Sequence, residues 1–551
     1  MVLPFGQTAI PLETHAGIAE IRLDGHPKES LEQTMKNTLL KSTIILSAAA
    51  LLSKILGSLF RIPLQNIAGD EVLGIFTLVY PVYMVALILS VAGIPIAISK
   101  LIAESRARGD EQEVKDIFMT SGILAAMFGI GSFLLLYLFS YQIAEILGGS
   151  STRPALIIVS ATLLIAPYMA VYRGYFQGHE RMTPTAVSQV IEQFIRVGLI
   201  LLVAAYLVQN LYSDSEVAGG IMIGSIFGAL ASLIYLRVLY SRSEVRVKKS
   251  LPYNFSHFKR TAKRILFISI PIAFGAITMA LLNLVDSITI PGALKAYENT
   301  SENVNYLYGI YGRGLALVQI VTVFASSVIL PLIPNISAKL AQNDRLGTQK
   351  VIEKTFFLTY LLSVPAAIGL FALTYPINLG LFTDLAGSSV LAIISLSSLF
   401  TSLTILSTGV LQGIDKARLA AWVIVAGVGV KVILNIIFVN LFGLDGAAIS
   451  TALVYLLLFV ANLYFIQKHV KFVSFNKRTI VILFASLVMG AVIGIPTLFM
   501  DFEAASRGFA LLYLTAAIAI GAVVYAVLLF AGKAVDKELL SGLPLVNKIF
   551  K

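Results

Sequence analysis

Apolar runs of about 20 residues recur along the chain from Ser42 to Phe530, separated by short polar connections. A hydrocarbon core about 30 Å thick is crossed by about 20 helical residues, so each run is long enough to span a bilayer. The pattern predicts fourteen spans, centred near residues 53, 84, 130, 165, 196, 229, 278, 319, 362, 398, 428, 455, 488 and 519. The fold class it implies is an all-α polytopic membrane protein.

The connections alternate in charge. One set carries Lys36 and Lys41, Lys100 to Lys115, Arg173 and Arg181, the basic stretch Arg242 to Arg264, Lys339 to Lys354, Lys416 and Arg418, Lys468 to Arg478 and the C-terminal lysines. The opposite set holds only Arg153, Lys295 and Arg507 and is richer in acids, among them Asp70, Glu71, Asp214 and Glu216. The positive-inside rule then predicts a cell-membrane protein with both termini in the cytoplasm, an arrangement that an even number of spans satisfies. Most of the net charge of +11 faces an anionic leaflet, so anionic membrane lipids account for it and nucleic acid is not required as a partner.

Composition narrows the chemistry. With 57% hydrophobic and 13% charged residues the chain is far from a soluble domain. It has no cysteine, which excludes disulfides and thiolate catalysis, and its five histidines (15, 26, 179, 257 and 469) stand at no metal-ligand spacing. No Walker motif is present, so no nucleotide cofactor is expected and the driving force falls to the membrane potential or an ion gradient, with Na+ or H+ as coupling ion. Residues 1–34 are of mixed polarity without the apolar core of a signal peptide, whereas Met35 opens "MKNTLLKSTII" and runs into the first span. The expectation for 1–34 is a leader that is disordered or not translated.

Two segments repeat. "GYFQGHERMTPTAVSQVIEQFIRV" begins at Gly174 and "GVLQGIDKARLAAWVIVAGVGVKV" at Gly409, sharing G-x-x-Q-G, an acid then a base, and a mid-span cation at a constant offset of 235. Pro95, Lys100 and Leu101 match Pro334, Lys339 and Leu340 at offset 239. Six spans separate equivalent points, so the predicted organisation is an N-lobe at 35–264 with helices 1–6 and a C-lobe at 265–467 with helices 7–12. Helices 13 and 14 with a cytoplasmic tail then fill 468–551. Parallel repeats of this kind build transporters with the substrate path between the halves.

Five cations lie within predicted spans: Lys54, Arg61, Arg196, Arg313 and Lys431, against the acids Glu192 and Asp286. Glu192 sits four residues before Arg196, the favourable spacing for an ion pair that neutralises itself. Lys431 either snorkels to an interface or reaches a carboxylate of the other half. Lys54, Arg61 and Arg313 have no acid within a turn of their own helices, and Asp286 can neutralise only one of them. Cations left unpaired in lipid are costly, so these three are expected to line a hydrated cavity, and a cavity with a positive surplus wants an anionic substrate.

The six-plus-six-plus-two arrangement resembles the polysaccharide-exporter branch of the multidrug/oligosaccharidyl-lipid/polysaccharide (MOP) flippase superfamily. The shared residues include G-x-F-Q-G-x-x-x-x-x-P-T after span 4, "LLSKILGSLFRIPLQNIAGDEVLGIFTLVYP", "VAGIPIAISKLIAE" and "SIPIAFGAITMALLNLVDSITIPGAL". Within that branch the chain is most similar to the MurJ-like lipid II flippases and their stage V sporulation protein B relatives. The resemblance implies two lobes around a V-shaped central cavity, working by alternating access. It also implies Lys54, Arg61 and Arg313 on the pyrophosphate of an undecaprenyl-linked sugar lipid, and a groove for the lipid tail at helices 13 and 14. A cation site would fall on Asp286, Asn435 and Thr451, and cell-wall synthesis enzymes would be partners. The family's basic residue on span 2 has no counterpart, because Val72 to Ser99 holds no Lys or Arg.

Other readings fit less well. A drug or cation antiporter of the same superfamily needs an acid-rich cavity, and this one is basic. A membrane glycosyltransferase needs catalytic carboxylates or histidine in sizeable loops, whereas the largest external loop, Pro291 to Val304, is short. The nearest alternative changes the cargo alone: another lipid-linked oligosaccharide, of exopolysaccharide or teichuronic type.

Overall fold

The computed structural model describes residue 46 and residues 48–91, 93–247, 253–298 and 304–535; the expected leader and the end of the C-terminal tail lie outside the described residues. Within them the chain is helical and contains no β-strand. Helix α1 (residues 48–59) is followed by α2 (Arg61–Val91), α3 (Ile94–Ala107), α4 (Glu111–Leu138), α5 (Ser140–Ile146), α6 (Arg153–Ser160), α7 (Ala166–Gly178), α8 (Thr183–Gln209), α9 (Asp214–Ile221) and α10 (Ile223–Ser241). The second half holds α11 (Phe255–Glu298), α12 (Val304–Ala341), α13 (Arg345–Ala372), α14 (Thr374–Phe382), α15 (Ser388–Gly413) and α16 (Ala417–His469). Helices α17 (Lys477–Gly494) and α18 (Arg507–Ala531) complete it.

Eleven helices among the described residues are long and apolar enough to cross a membrane, fewer than the fourteen spans expected. The difference has a physical origin at two glycines. Ala48–Ala107 and Ala417–His469 each run as one apolar stretch, yet Gly69 (φ 80°, ψ 178°) and Gly443 (φ 58°, ψ −134°) break them. A positive φ is open to glycine without a Cβ clash, so the chain turns there within one continuous helical stretch, and the two spans expected on either side of each glycine run together. The 38-residue α12, which contains the eighth expected span, lies outside the eleven.

The sequence repeat recurs as geometry. Glu180 and Asp415, the two acids of the motif, both adopt left-handed φ (59° and 61°) at the end of α7 and α15. The following amides fold back identically, Arg181 N–H to Phe176 O and Lys416 N–H to Leu411 O. The motif glycines serve close helix contact: a Cβ at Gly178 would lie 2.8 Å from Ile102 Cβ, and one at Gly413 3.1 Å from Ile336 Cβ. Asp110 and Asp344 likewise cap α4 and α13 by accepting from Glu113 N–H and Gly347 N–H.

Among the contacts that join the halves, two stand out. Helix α2 packs on α12 through glycine, where a Cβ at Gly74 would fall 1.8 Å from Asn305 O and one at Gly309 1.9 Å from Asp70 O. Close approach through small residues is the usual way membrane helices gain dispersion contact. At the other end α11 meets α4. Asp116, fully buried, takes His257 Nδ1 at 2.5 Å and Arg260 at 3.4 Å, while Glu113 pairs with Arg108 and Arg264. The lobe boundary expected at 264/265 falls inside the continuous α11, because the basic residues of its first turns read as a loop.

Candidate functional site

A cavity of about 490 Å³ opens between the two halves, walled by α1, α2, α11, α12, α15 and α16. Lys54 and Arg61 both line it, as do Asp286, Lys431 and Thr451. Arg61 is buried, its guanidinium 5.7 Å from the Phe76 ring centroid, and its Nε has no hydrogen-bond partner. Among the described residues no carboxylate lies within ion-pair distance of Lys54 or Arg61. Two cavity cations that no carboxylate pairs form an anion-attracting surface, and a guanidinium with free N–H groups suits a phosphate oxygen.

Arg313 departs from the expectation. It is 1% exposed, is absent from the cavity wall, and spends its N–H groups elsewhere. Nε donates to Asp70 Oδ1 at 2.7 Å, and one terminal nitrogen donates to Asp384 Oδ1 at 2.7 Å and Asn378 Oδ1 at 3.1 Å. The other donates to Asp384 Oδ2 at 2.9 Å and to Asp70 Oδ2. All five donors of the guanidinium are used. Gln65 Nε2 supports Asp70 at 3.2 Å, and the Phe382 ring centroid lies 5.4 Å from the guanidinium. The partners are acids that lie far off in the chain and close in space, which is why inspection of its own helix missed them. Asp70 directly follows the Gly69 break, and Gly309 and Gly312 on α12 let α2 come close enough for the bridge.

The other intramembrane charges pair more tightly than their spacing showed. Glu192 accepts from Arg196 at 2.8 Å and also from Arg173 at 2.8 Å. Arg173, counted as a loop cation from sequence, lies in α7 and donates further to Ser188 and Ser232. Lys431 neither snorkels nor crosses to the other half: its Nζ lies 2.7 Å from Asp286 Oδ2, within its own half. Asp286, Asn435 and Thr451 do come together. Asn435 Nδ2 donates to Asp286 Oδ1 at 2.9 Å, and the Tyr311 hydroxyl bridges Asp286 (3.4 Å) and Thr451 (2.8 Å). The groups aimed at this carboxylate are donors, so the set does not fit a bound metal cation, which requires converging oxygen lone pairs. No cluster of three His, Cys, Asp or Glu suited to a metal occurs among the described residues.

Beside the central cavity lies a second, largely apolar one of about 640 Å³ between α12, α13, α14, α17 and α18, lined by residues such as Leu370, Met489, Leu514 and Ile518. Val318, Gln319 and Thr322 of α12 face the first cavity, and Ile320 and Val321 face the second. One helix thus separates a cationic chamber from an apolar groove.

The comparisons with known proteins agree with this architecture. The family model described as polysaccharide biosynthesis protein matches residues 39–338. The uncharacterized membrane protein YabM of Bacillus subtilis is 31% identical over 517 residues, covering 93% of this chain and 96% of that protein. The lipid II flippase MurJ of the same organism is 28% identical over 487 residues, covering 84% and 89%. A solved structure of lipid II flippase MurJ in an inward closed conformation superposes with a TM-score of 0.63 at 19% identity, over 88% of this chain and 98% of that one, and shows the same fold. The named activity among these relatives is that of a flippase, not of an enzyme. The chain is a multi-pass membrane protein, and it belongs to the polysaccharide biosynthesis protein family.

Proposed function

We propose that the chain is a flippase that carries an undecaprenyl-pyrophosphate-linked cell-wall precursor, lipid II, from the inner to the outer leaflet by alternating access. The observation that carries this reading is the pair Lys54 and Arg61, facing the cavity between the halves with no carboxylate at ion-pair distance to neutralise them. A pyrophosphate brings about two negative charges, and Arg61 offers it a planar fork while Lys54 offers a point charge. The adjacent apolar groove is shaped for a polyprenyl tail that stays in hydrocarbon while the headgroup crosses. The relative MurJ, named for lipid II, supports the cargo.

An inside-negative potential drives such a cycle through its return step. The two headgroup charges are matched by Lys54 and Arg61 on the outward step, whereas the vacated cationic cavity is drawn inward by about 2.3 kcal/mol per charge per 100 mV. Purified chain in liposomes loaded with lipid II tests the reading. Lipid II in the inner leaflet should become accessible to an external modifying enzyme, faster under an inside-negative potential. Flipping of a different lipid-linked oligosaccharide with lipid II left untouched would overturn the cargo and keep the transporter.

A further inference from the structure

The wall of the central cavity contains a cation that is part of the chain. Three helices converge on Asp286, which is 2% exposed: α11 bears it, α12 brings Tyr311, and α16 brings Lys431, Asn435 and Thr451. Lys431 and Asn435 are 0% exposed. A carboxylate, an amide and hydroxyls gathered from three transmembrane helices form the composition expected of a monovalent-cation site. The directions of their polar atoms say otherwise. Asn435 turns its Nδ2 towards Asp286 Oδ1 (2.9 Å) and Thr289 Oγ1 (2.8 Å), and its Oδ1 accepts from Ser450 at 2.6 Å. Turning the amide over would set its oxygen against the carboxylate and lose the Ser450 donor. The Lys431 ammonium stands 2.7 Å from Asp286 Oδ2, with the Tyr455 ring centroid 5.5 Å away. A free cation bound to Asp286 would sit beside this ammonium and be repelled by it.

We propose that the Lys431 ammonium is a tethered cation that fills the place of an exchangeable one, so this protein has no functional site for a free alkali cation at Asp286. The consequence for the cavity is electrostatic. Asp286 is neutralised permanently, and its charge does not compete with an incoming anion for Lys54 and Arg61. An exchangeable ion would make that neutralisation depend on the salt outside; a lysine makes it constant. The inference concerns binding alone and stands whether or not the cargo is lipid II.

The test uses the purified full-length chain in lipid nanodiscs, with thermal unfolding followed in sodium, lithium, potassium or choline chloride at equal ionic strength. The wild type should unfold at the same temperature in all four salts. Lys431→Asn strips the ammonium and leaves a buried carboxylate. It should unfold at a lower temperature in choline and recover saturably in one of the alkali salts, by about 2 °C at roughly one hundred times Kd. Lys431→Asn combined with Asp286→Asn should return to indifference. Saturable binding of radioactive sodium to the wild type, abolished by Asp286→Asn, would overturn the proposal even if Lys431→Asn fails to fold. A folded Lys431→Asn protein that ignores every alkali cation would overturn it as well.

Discussion

Arg313 and the pair Lys54–Arg61 are cations set into the same apolar slab, and their surroundings are opposite. Arg313 lies against two carboxylates and an amide with every N–H donor engaged. Lys54 and Arg61 face the cavity between the halves with no carboxylate at ion-pair distance, and Arg61 keeps an N–H group without a partner. A saturated guanidinium has no capacity left for a ligand and ties α2 to α12 and to the segment after α14. An unsaturated one has capacity and little structural work. The distinction lies in hydrogen-bond accounting, since all three residues looked alike in sequence.

The strongest way to break the comparison is to remove one member of the saturated nest. Deleting one partner of a buried ion pair leaves an uncompensated charge and costs about 3–5 kcal/mol. Arg313→Ala strands Asp70, whose side chain is 5% exposed, and should produce the largest fall in thermal stability among these substitutions. Asp70→Ala should follow, because Asp384 still faces the guanidinium. Thermal unfolding in detergent measures both, and an Arg313→Ala protein as stable as the wild type would dissolve the distinction.

The opposite outcome is expected across the cavity. Arg61→Ala and Lys54→Ala should leave unfolding temperature unchanged or raised, since each removes an unpaired intramembrane charge. Flipping should fall, because a charged hydrogen bond to the headgroup contributes about 1.5–3 kcal/mol, or about ten- to a hundredfold in rate or affinity. Arg61→Lys should recover part of it, having lost the fork. Adding Asp286→Ala should rescue neither single change, because that carboxylate belongs to Lys431. A rescue would reassign the cavity cations to structure.

Much of this architecture is legible in the sequence. Apolar run length gave the helices, and the repeat reappears as matched left-handed turns at Glu180 and Asp415. Lys54, Arg61, Asp286, Lys431 and Thr451 do share one cavity. What the chain hid was partnership over distance. Asp70 and Asp384 stand 243 and 71 residues from Arg313, and Arg173 reaches Glu192 from another helix. Spacing arguments see a turn or two of one helix, whereas a membrane interior forces every charge to search the whole bundle for a counter-ion. Glycine marked the meeting points: Gly69 turns the chain just before Asp70, and Gly309 and Gly312 open the path to Arg313.

The finest probe of the saturated nest is its wet edge. Asp384, in the connection between α14 and α15, is 46% exposed on its side chain, unlike Asp70. Partial burial pushes its carboxyl pKa up, but the Arg313 guanidinium and the Ala386 N–H outweigh that and hold it below the usual carboxylate value. A group whose folded pKa is depressed stabilises the fold above its unfolded pKa, near 4, and loses that contribution as pH falls through the folded value. The wild type should therefore lose thermal stability progressively below about pH 4. Asp384→Asn should be slightly less stable at neutral pH and should lose less on acidification, so the two curves converge in acid. The gap at neutral pH should be the smallest effect among these substitutions, because solvent screens an exposed partner. Parallel curves for the two proteins between pH 3 and pH 7 would show that Asp384 adds nothing to the nest and that Asp70 alone holds Arg313.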